Sequence, residues 1–226
     1  MRSSLGALWT ERRINIVEVG PRDGLQNERA PISTADKIEF INRLSAANLP
    51  VIEVASFVSP TWVPQMADAE QVCAGIARQP GIRYTALVPN LAGLDRAARA
   101  GITEIAVFAA ATETFSRKNI NQSIEDSLEN YRQVCDRSTS MGMRVRGYVS
   151  TAFGCPYEGA VEPRKAAEVA ARLVEAGVVE VAISDTIGVA HPGLVSRVLD
   201  SVLERIQLPR SRCIFTTRAE RPWRMF

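Results

Sequence analysis

The sequence predicts an α/β chain of the (β/α)8, or TIM, barrel type, with about six βα units and the start of a seventh strand. Three observations predict it. Short β-branched runs alternate with longer segments of helical spacing. Polar and charged residues gather at the C-terminal ends of the apolar runs. A doubly wound open sheet, the competing architecture, would spread those polar ends over a long edge, and with no G-x-G-x-x-G after the first run dinucleotide binding has no support.

The elements follow in order. INIVEV, Ile14 to Val19, is the first strand, and a helix follows with apolar positions Ile38, Ile41 and Leu44 behind an N-cap at Ser33 or Thr34. VIEVASF precedes a helix from Asp68 to Arg78. IRYTALV precedes LAGLDRAARAG, and ITEIAVFAA precedes IEDSLENYRQVCDRSTSMG. MRVRGYVSTA precedes EPRKAAEVAARLVEAG, and VVEVAISD precedes HPGLVSRVLDSVLERI. Gly101, Gly142 and Gly177 each fall just past a helix, where a left-handed C-cap is wanted. This rhythm implies parallel strands with right-handed crossovers. No linker interrupts it, so 1–208 reads as one domain.

Bulk composition narrows the function. The 226 residues are 46% hydrophobic and 23% charged, an ordinary globular balance. A net charge of +2 is too small to argue for a nucleic-acid or membrane-surface partner, and none is expected. No apolar run reaches the ~20 residues of a membrane span, and the N-terminus lacks a signal-peptide core. The four cysteines lie far apart with no C-x-x-C pair, which fits a reducing cytoplasm.

The candidate chemistry sits at strand ends. In VEVGPRDGLQNE, Asp23 is a plausible hard-cation ligand beside a charge stabiliser, Arg22; the plainer reading is a capping Asp in a surface ion pair. Glu53 interrupts VIEVASF, and period-two alternation puts it on one face with Val51 and Ala55. A carboxylate there needs a partner, and a structural salt bridge to Arg22 is its plainer reading. Ser56 ends the same strand. Arg146 interrupts MRVRGYVS, with Tyr148 two residues on; a cation facing a barrel interior holds a carboxylate or an oxyanion. Asp185 ends VVEVAISD, with a turn-capping role as the alternative. His191, the single histidine, reads as an exposed loop residue, and Cys155 has no imidazole to activate it.

Together VEVGPRDGLQNE, IEVASFVSPTWVPQMAD, KNINQSIEDSLE, VRGYVSTAFGCPYEG and SDTIGVAHPG resemble the 3-hydroxy-3-methylglutaryl-CoA lyase family, from about Ile14 to Leu208. The resemblance implies a metal-dependent barrel that cleaves hydroxymethylglutaryl-CoA to acetoacetate and acetyl-CoA in leucine degradation. It implies that Asp23 binds Mg2+ or Mn2+, that Arg22 stabilises the departing enolate, and that Glu53 and Asp185 lie in the reaction shell. Gln26, Ser56, Asn119, Arg146 and Tyr148 would line the acyl-CoA site. It also implies a cytoplasmic, bacterial-type enzyme, with a homodimer for full-length members. A related lyase or aldolase for another hydroxyacyl-CoA or 2-oxo acid, and a non-catalytic acyl-CoA-binding fragment, are the alternatives.

The sequence departs from that family after Leu208. The family's H-x-H pair, glycine-rich cysteine loop and asparagine are missing, and the chain reads RCIFTTRAERPWRMF. With suitably chosen codons, the neighbouring reading frame of this stretch gives His-Phe-His-Asp-Thr-Arg-Gly-Thr-Ala-Leu-Ala-Asn-Val. The expectation is therefore an out-of-frame tail over 209–226, arising near Pro209 to Arg212, and a chain that is poorly soluble and inactive as written. The nucleotide sequence of that region decides it; codons that cannot encode His-Phe-His in the other frame sink it.

Overall fold

The computed structural model describes residues 15–206. The expected start of strand seven and the 209–226 tail lie outside these residues.

The described chain forms one sheet of six parallel strands, with helices packed along one face. β1 is Val17–Glu18, followed by a π-helical turn, Gly20–Gly24, and α1, Thr34–Ala46. β2, Val51–Ser56, leads through a 3-10 turn, Pro64–Met66, to α2, Ala69–Gly75. β3, Arg83–Leu87, precedes α3, Leu91–Arg99, and β4, Glu104–Ala110, precedes two helices, α4, Glu113–Ile120, and α5, Ile124–Ser140. β5, Arg144–Ser150, is followed by a small antiparallel hairpin of β6, Gly154–Cys155, and β7, Gly159–Ala160, and then α6, Pro163–Glu175. β8, Glu180–Ile183, and α7, Pro192–Arg205, complete the series.

Strand order separates the two candidate architectures. The sheet runs β1-β2-β3-β4-β5-β8, every neighbour parallel. A doubly wound sheet reverses its strand order at a switch point. Here the order never reverses, as in a (β/α)8 barrel, and β1 and β8 form the edges among the described residues.

Local sequence explains the boundaries. Ser33 caps α1, its side chain accepting from the Asp36 amide at 3.1 Å, and Ser123 caps α5 in the same way through Asp126 at 3.0 Å. Gly101, Gly142 and Gly177 take φ of +74°, +69° and +106°, the predicted left-handed caps. The helix expected over Asp68 to Arg78 is shorter, because Ile76 turns extended at φ −72°, ψ 139°.

The main core lies between sheet and helices. Ile105, Val107 and Ala109 of β4 pack outward with Leu128 and Val134 of α5 and with Ala170 and Leu173 of α6. A separate small cluster occupies the inner face: Leu87, Ala106, Tyr148 and Ala182, with Phe108 against them. The outer face is therefore apolar, and the inner face mixes this cluster with buried charge.

Candidate active site

The turn after β1 aims Arg22 inward. The amides of Arg22 and Asp23 both donate to the Val19 carbonyl, at 3.1 and 2.7 Å. A Cβ at Gly20 would lie 2.7 Å from Glu18 Oε1, the atom that accepts from the Gly20 amide, so a side chain there would displace that carboxylate. The Arg22 side chain ends 10% exposed, inside the mouth of the barrel.

Three side chains meet there. Glu53, on β2 and fully buried, accepts from Arg22 Nε through Oε1. Its Oε2 accepts from the Tyr148 hydroxyl at 2.9 Å. The Arg22 guanidinium also lies 5.7 Å from the centre of the Tyr148 ring. Arg22 Nη1 donates to Asp23 Oδ1 at 2.7 Å, and the Asp23 side chain is 43% exposed.

The electrostatics follow from these contacts. Burial works to lower the Arg22 pKa, but Glu53 and Asp23 outweigh it and the guanidinium stays firmly charged. Burial, aided by the Glu53 charge, pushes the Tyr148 phenol well above its usual range, against the pull of Arg22 and Arg146. Tyr148 is thus a neutral donor across the working pH range. The cluster is a fixed cation held by a carboxylate that a phenol also steadies, with one further carboxylate reaching solvent.

A bulge changes the face of Ser56. The β2–β3 register shifts between Glu53 and Ala55, so Ala55 pairs with Ala86 and Ser56 with Leu87. Leu87 belongs to the inner cluster and Ala55 to the outer core. Glu53 therefore does not share its face with Ala55, as strict alternation predicts; the bulge at Val54 brings Ser56 inward instead. Ser56 Oγ and Thr85 Oγ1 are buried there without a hydrogen-bond partner among the described residues.

The other expected residues stand elsewhere. Arg146 lies toward the base of the barrel, 2% exposed, with Nε 2.8 Å from Glu180 Oε1 and Nη2 3.6 Å from Glu104 Oε1. It holds two carboxylates instead of reaching into the mouth, and its approach to the site runs through Tyr148. Asp185 accepts from the amides of Gly188, Val189 and Ala190 at 3.0, 3.1 and 2.8 Å, so it organises the loop between β8 and α7. Asn119 is exposed on α4. Gln26 lines a cavity beside the mouth. His191 is exposed at the start of α7, as expected.

Sequence reasoning missed Glu104 and Glu180. Each interrupts an apolar strand, the same signal that picked out Glu53. It also missed a buried polar knot where Thr112 Oγ1 lies 3.3 Å from Thr151 Oγ1 and donates to Cys155 Sγ at 3.2 Å. Thr151 holds φ +57° there, an unusual conformation for a β-branched residue, with Thr186 Oγ1 accepting from its amide at 2.7 Å.

The described residues alone do not fit a tightly held divalent cation. No group of three His, Cys, Asp or Glu side chains among them is placed to hold a metal. Asp23 offers one carboxylate where such ions take about six or more oxygens. No helix among the described residues is long and apolar enough to cross a membrane.

Comparison with known proteins places this geometry. The HMGL-like family model matches residues 13–217. A rat protein named 3-hydroxy-3-methylglutaryl-CoA lyase, cytoplasmic, is 56% identical over 193 residues, covering 85% of this chain and 56% of the relative. A Pseudomonas aeruginosa protein named 3-hydroxy-3-isohexenylglutaryl-CoA/hydroxy-methylglutaryl-CoA lyase is 52% identical over 201 residues, 89% of this chain and 66% of its own. The crystal structure of hydroxymethylglutaryl-CoA lyase from Pseudomonas aeruginosa superposes with a TM-score of 0.85 at 51% identity, over 90% of this chain and 67% of that one. The chain thus spans between about half and two thirds of the length of these relatives. An unreversed parallel sheet, a strand-one Arg-Asp turn and a match along most of its length make this chain a member of the HMGL-like family.

Proposed function

We propose that residues 15–206 form the substrate-handling half of a carbon–carbon lyase site that cleaves 3-hydroxy-3-methylglutaryl-CoA to acetoacetate and acetyl-CoA. The observation that carries this reading is the buried Arg22–Glu53–Tyr148 cluster at the barrel mouth. Retro-Claisen cleavage leaves an enolate of the thioester, and a fixed cation in a low-dielectric cleft is what such a charge needs. Arg22 supplies it. Glu53 holds the guanidinium fork in one orientation, so little reorganisation is needed when the enolate forms. Tyr148 donates to the other oxygen of Glu53, which keeps that carboxylate committed to the task.

Asp23 is the one carboxylate these residues offer to Mg2+ or Mn2+, with the remaining ligands supplied from beyond residue 206. A bound divalent cation supplies Lewis-acid polarisation of a hydroxyl or carbonyl oxygen. Ser56 belongs to the substrate wall, as its inward hydroxyl is buried beside the inner cluster. Asp185 acts by fixing the β8–α7 loop at the mouth.

The test is a chimera. Residues 15–206 replace the matching segment of the Pseudomonas aeruginosa relative, and acetoacetate release is followed with 3-hydroxy-3-methylglutaryl-CoA and Mg2+. Turnover within about a hundredfold of the parent is expected, the range of a disturbed supporting shell. A folded chimera with no turnover above background overturns the assignment.

A further inference from the structure

The β6–β7 hairpin lies between two walls of the mouth and touches both. On one side is α4, which starts without a cap of its own. Thr112 stands at its N-cap position, but the side chain makes no capping hydrogen bond. That hydroxyl is committed to the buried knot, donating to Cys155 Sγ of β6. Glu158, in the turn between β6 and β7, supplies the missing cap. Its Oε1 accepts from the Thr114 amide at 3.2 Å. Thr114 is the second residue of the helix, one of the two amides an N-cap side chain ordinarily takes. A carboxylate there also meets the positive end of the helix dipole. Tyr157 adds two contacts to α4: its ring centre lies 6.1 Å from that of Phe115 and 4.1 Å from Lys118 Nζ. On the other side the hairpin meets the β8–α7 loop that Asp185 organises. The Thr151 amide donates to Thr186 Oγ1, and Gly154 packs so closely that a Cβ there would lie 2.7 Å from Val189 Cγ2.

We propose that Glu158 is a positioning residue for the substrate: it caps α4 from the hairpin and so sets the β4 wall of the mouth, a proposal that rests on the lyase reading above. Place argues for it. α4 follows the C-terminal end of β4, the end of a barrel strand where such enzymes build their sites. Its approach is joined to the strand that carries Tyr148: Ala110 pairs with Ser150, and the Ala111 amide donates to the Ser150 carbonyl at 2.9 Å. Need argues for it as well. α4 has eight residues, with only Phe115 and Ile120 as large apolar side chains, and a helix that short is not stable alone. Its neighbour α5 has 17 residues and a cap from its own Ser123. α4 therefore depends on a distant side chain where α5 does not. Glu158 is itself steadied from behind, its Oε2 lying 3.8 Å from Lys165 Nζ of α6. One carboxylate thus links α4 to the hairpin and the hairpin to α6.

Two measurements on the full chain test this together: amide hydrogen exchange, and calorimetry with 3-hydroxy-3-methylglutaryl-CoA. In Glu158→Ala the α4 amides should exchange about fivefold faster, the factor that one lost cap represents, while the α5 amides keep the parent rates. Substrate affinity should fall by about fivefold with them, because the fraction of chains with α4 in place falls. Glu158→Gln keeps the accepting oxygen and should restore both readouts. Glu158→Asp keeps the charge but is one methylene too short to reach Thr114, and should behave as Glu158→Ala. Glu158 lies at the surface of the hairpin turn, so these changes leave the core intact, which circular dichroism verifies. Unchanged α4 exchange in both Glu158→Ala and Glu158→Asp overturns the proposal. Faster exchange with unchanged affinity makes Glu158 a cap and nothing more, which overturns the positioning role and leaves the lyase reading standing. No binding of substrate to the parent chain overturns both.

Discussion

At the mouth of the barrel Arg22 meets Glu53 and Asp23; at its base Arg146 meets Glu180 and Glu104. Both clusters place an arginine between two carboxylates on the inner face. They differ in access and geometry. At the base the Arg146, Glu180 and Glu104 side chains are 2%, 3% and 7% exposed, and the contacts are charge contacts without hydrogen-bond alignment at the Arg146 nitrogens. At the mouth the fork is aligned to Glu53 and Asp23, and Asp23 reaches solvent at 43%. A closed cluster can only hold strands together. An aligned cluster with one open member can receive a substrate. On the proposed function, the same residue types serve structure in one place and chemistry in the other, with access setting which.

The sharpest way to break this comparison is Arg22→Lys in the chimera. Lysine keeps the charge but loses the planar fork that Glu53 and Asp23 hold. A fall in kcat of about a hundredfold to a thousandfold is expected, the scale of removing one preorganised donor from a developing oxyanion. Unchanged kcat would place Arg22 with Arg146, as structure. The base should answer in stability instead. Arg146→Met removes the cation beside buried Glu180 and leaves Glu104 to Arg83 and Arg144, and should cost about 3–5 kcal/mol by urea unfolding. Adding Glu180→Leu should recover most of that loss, because a buried ion pair replaced by apolar side chains is close to neutral. A double variant no better than Arg146→Met would mean that the base charges do more than hold strands.

The contrast was partly legible in the sequence. A charge interrupting an apolar strand needs a partner, so the Arg22–Glu53 pair and the need of Arg146 for a carboxylate could be read directly. The identity of that carboxylate could not. Glu104 and Glu180 reach Arg146 only through the registers of β4 with β5 and of β5 with β8, where Arg146 faces Ala106 and Glu180. Period-two reasoning placed Glu53 correctly with Val51 but failed one turn later, because a bulge resets the face of Ser56 and leaves no compositional mark. The Gly20–Gly24 stretch forms a π-helical turn, a form its sequence does not announce. α4 was missed because ETFSRKNI carries little apolar periodicity and ends on Asn121 at φ +55°. Asp185 shows the opposite case: its plainer reading, a loop cap, describes the hydrogen bonds it makes.

The smallest expected effect lies where the two clusters touch, at Tyr148. Tyr148→Phe keeps the ring beside Arg22 but leaves Glu53 Oε2 without its donor, and should cost about 1–3 kcal/mol at neutral pH. The size of that loss should depend on pH. Burial, with Glu53, raises the Tyr148 pKa; burial also raises Tyr131, Cys73 to about 11 and Cys135 to about 12. These groups keep protons in the folded chain that the unfolded chain releases near pH 8.5 for thiols and pH 10 for phenols. The folded state then binds more protons than the unfolded one, so stability falls as pH rises through that window. The thiols and Tyr131 act equally in both proteins, whereas the Tyr148 contribution exists only in the parent. The stability gap between parent and Tyr148→Phe should therefore stay constant from pH 7 to 9 and narrow above about pH 10. Urea midpoints across that range measure it. A gap that holds steady to pH 11 would mean that the Tyr148 proton is not held by Glu53, and the mouth cluster would lose the donor that distinguishes it from the base.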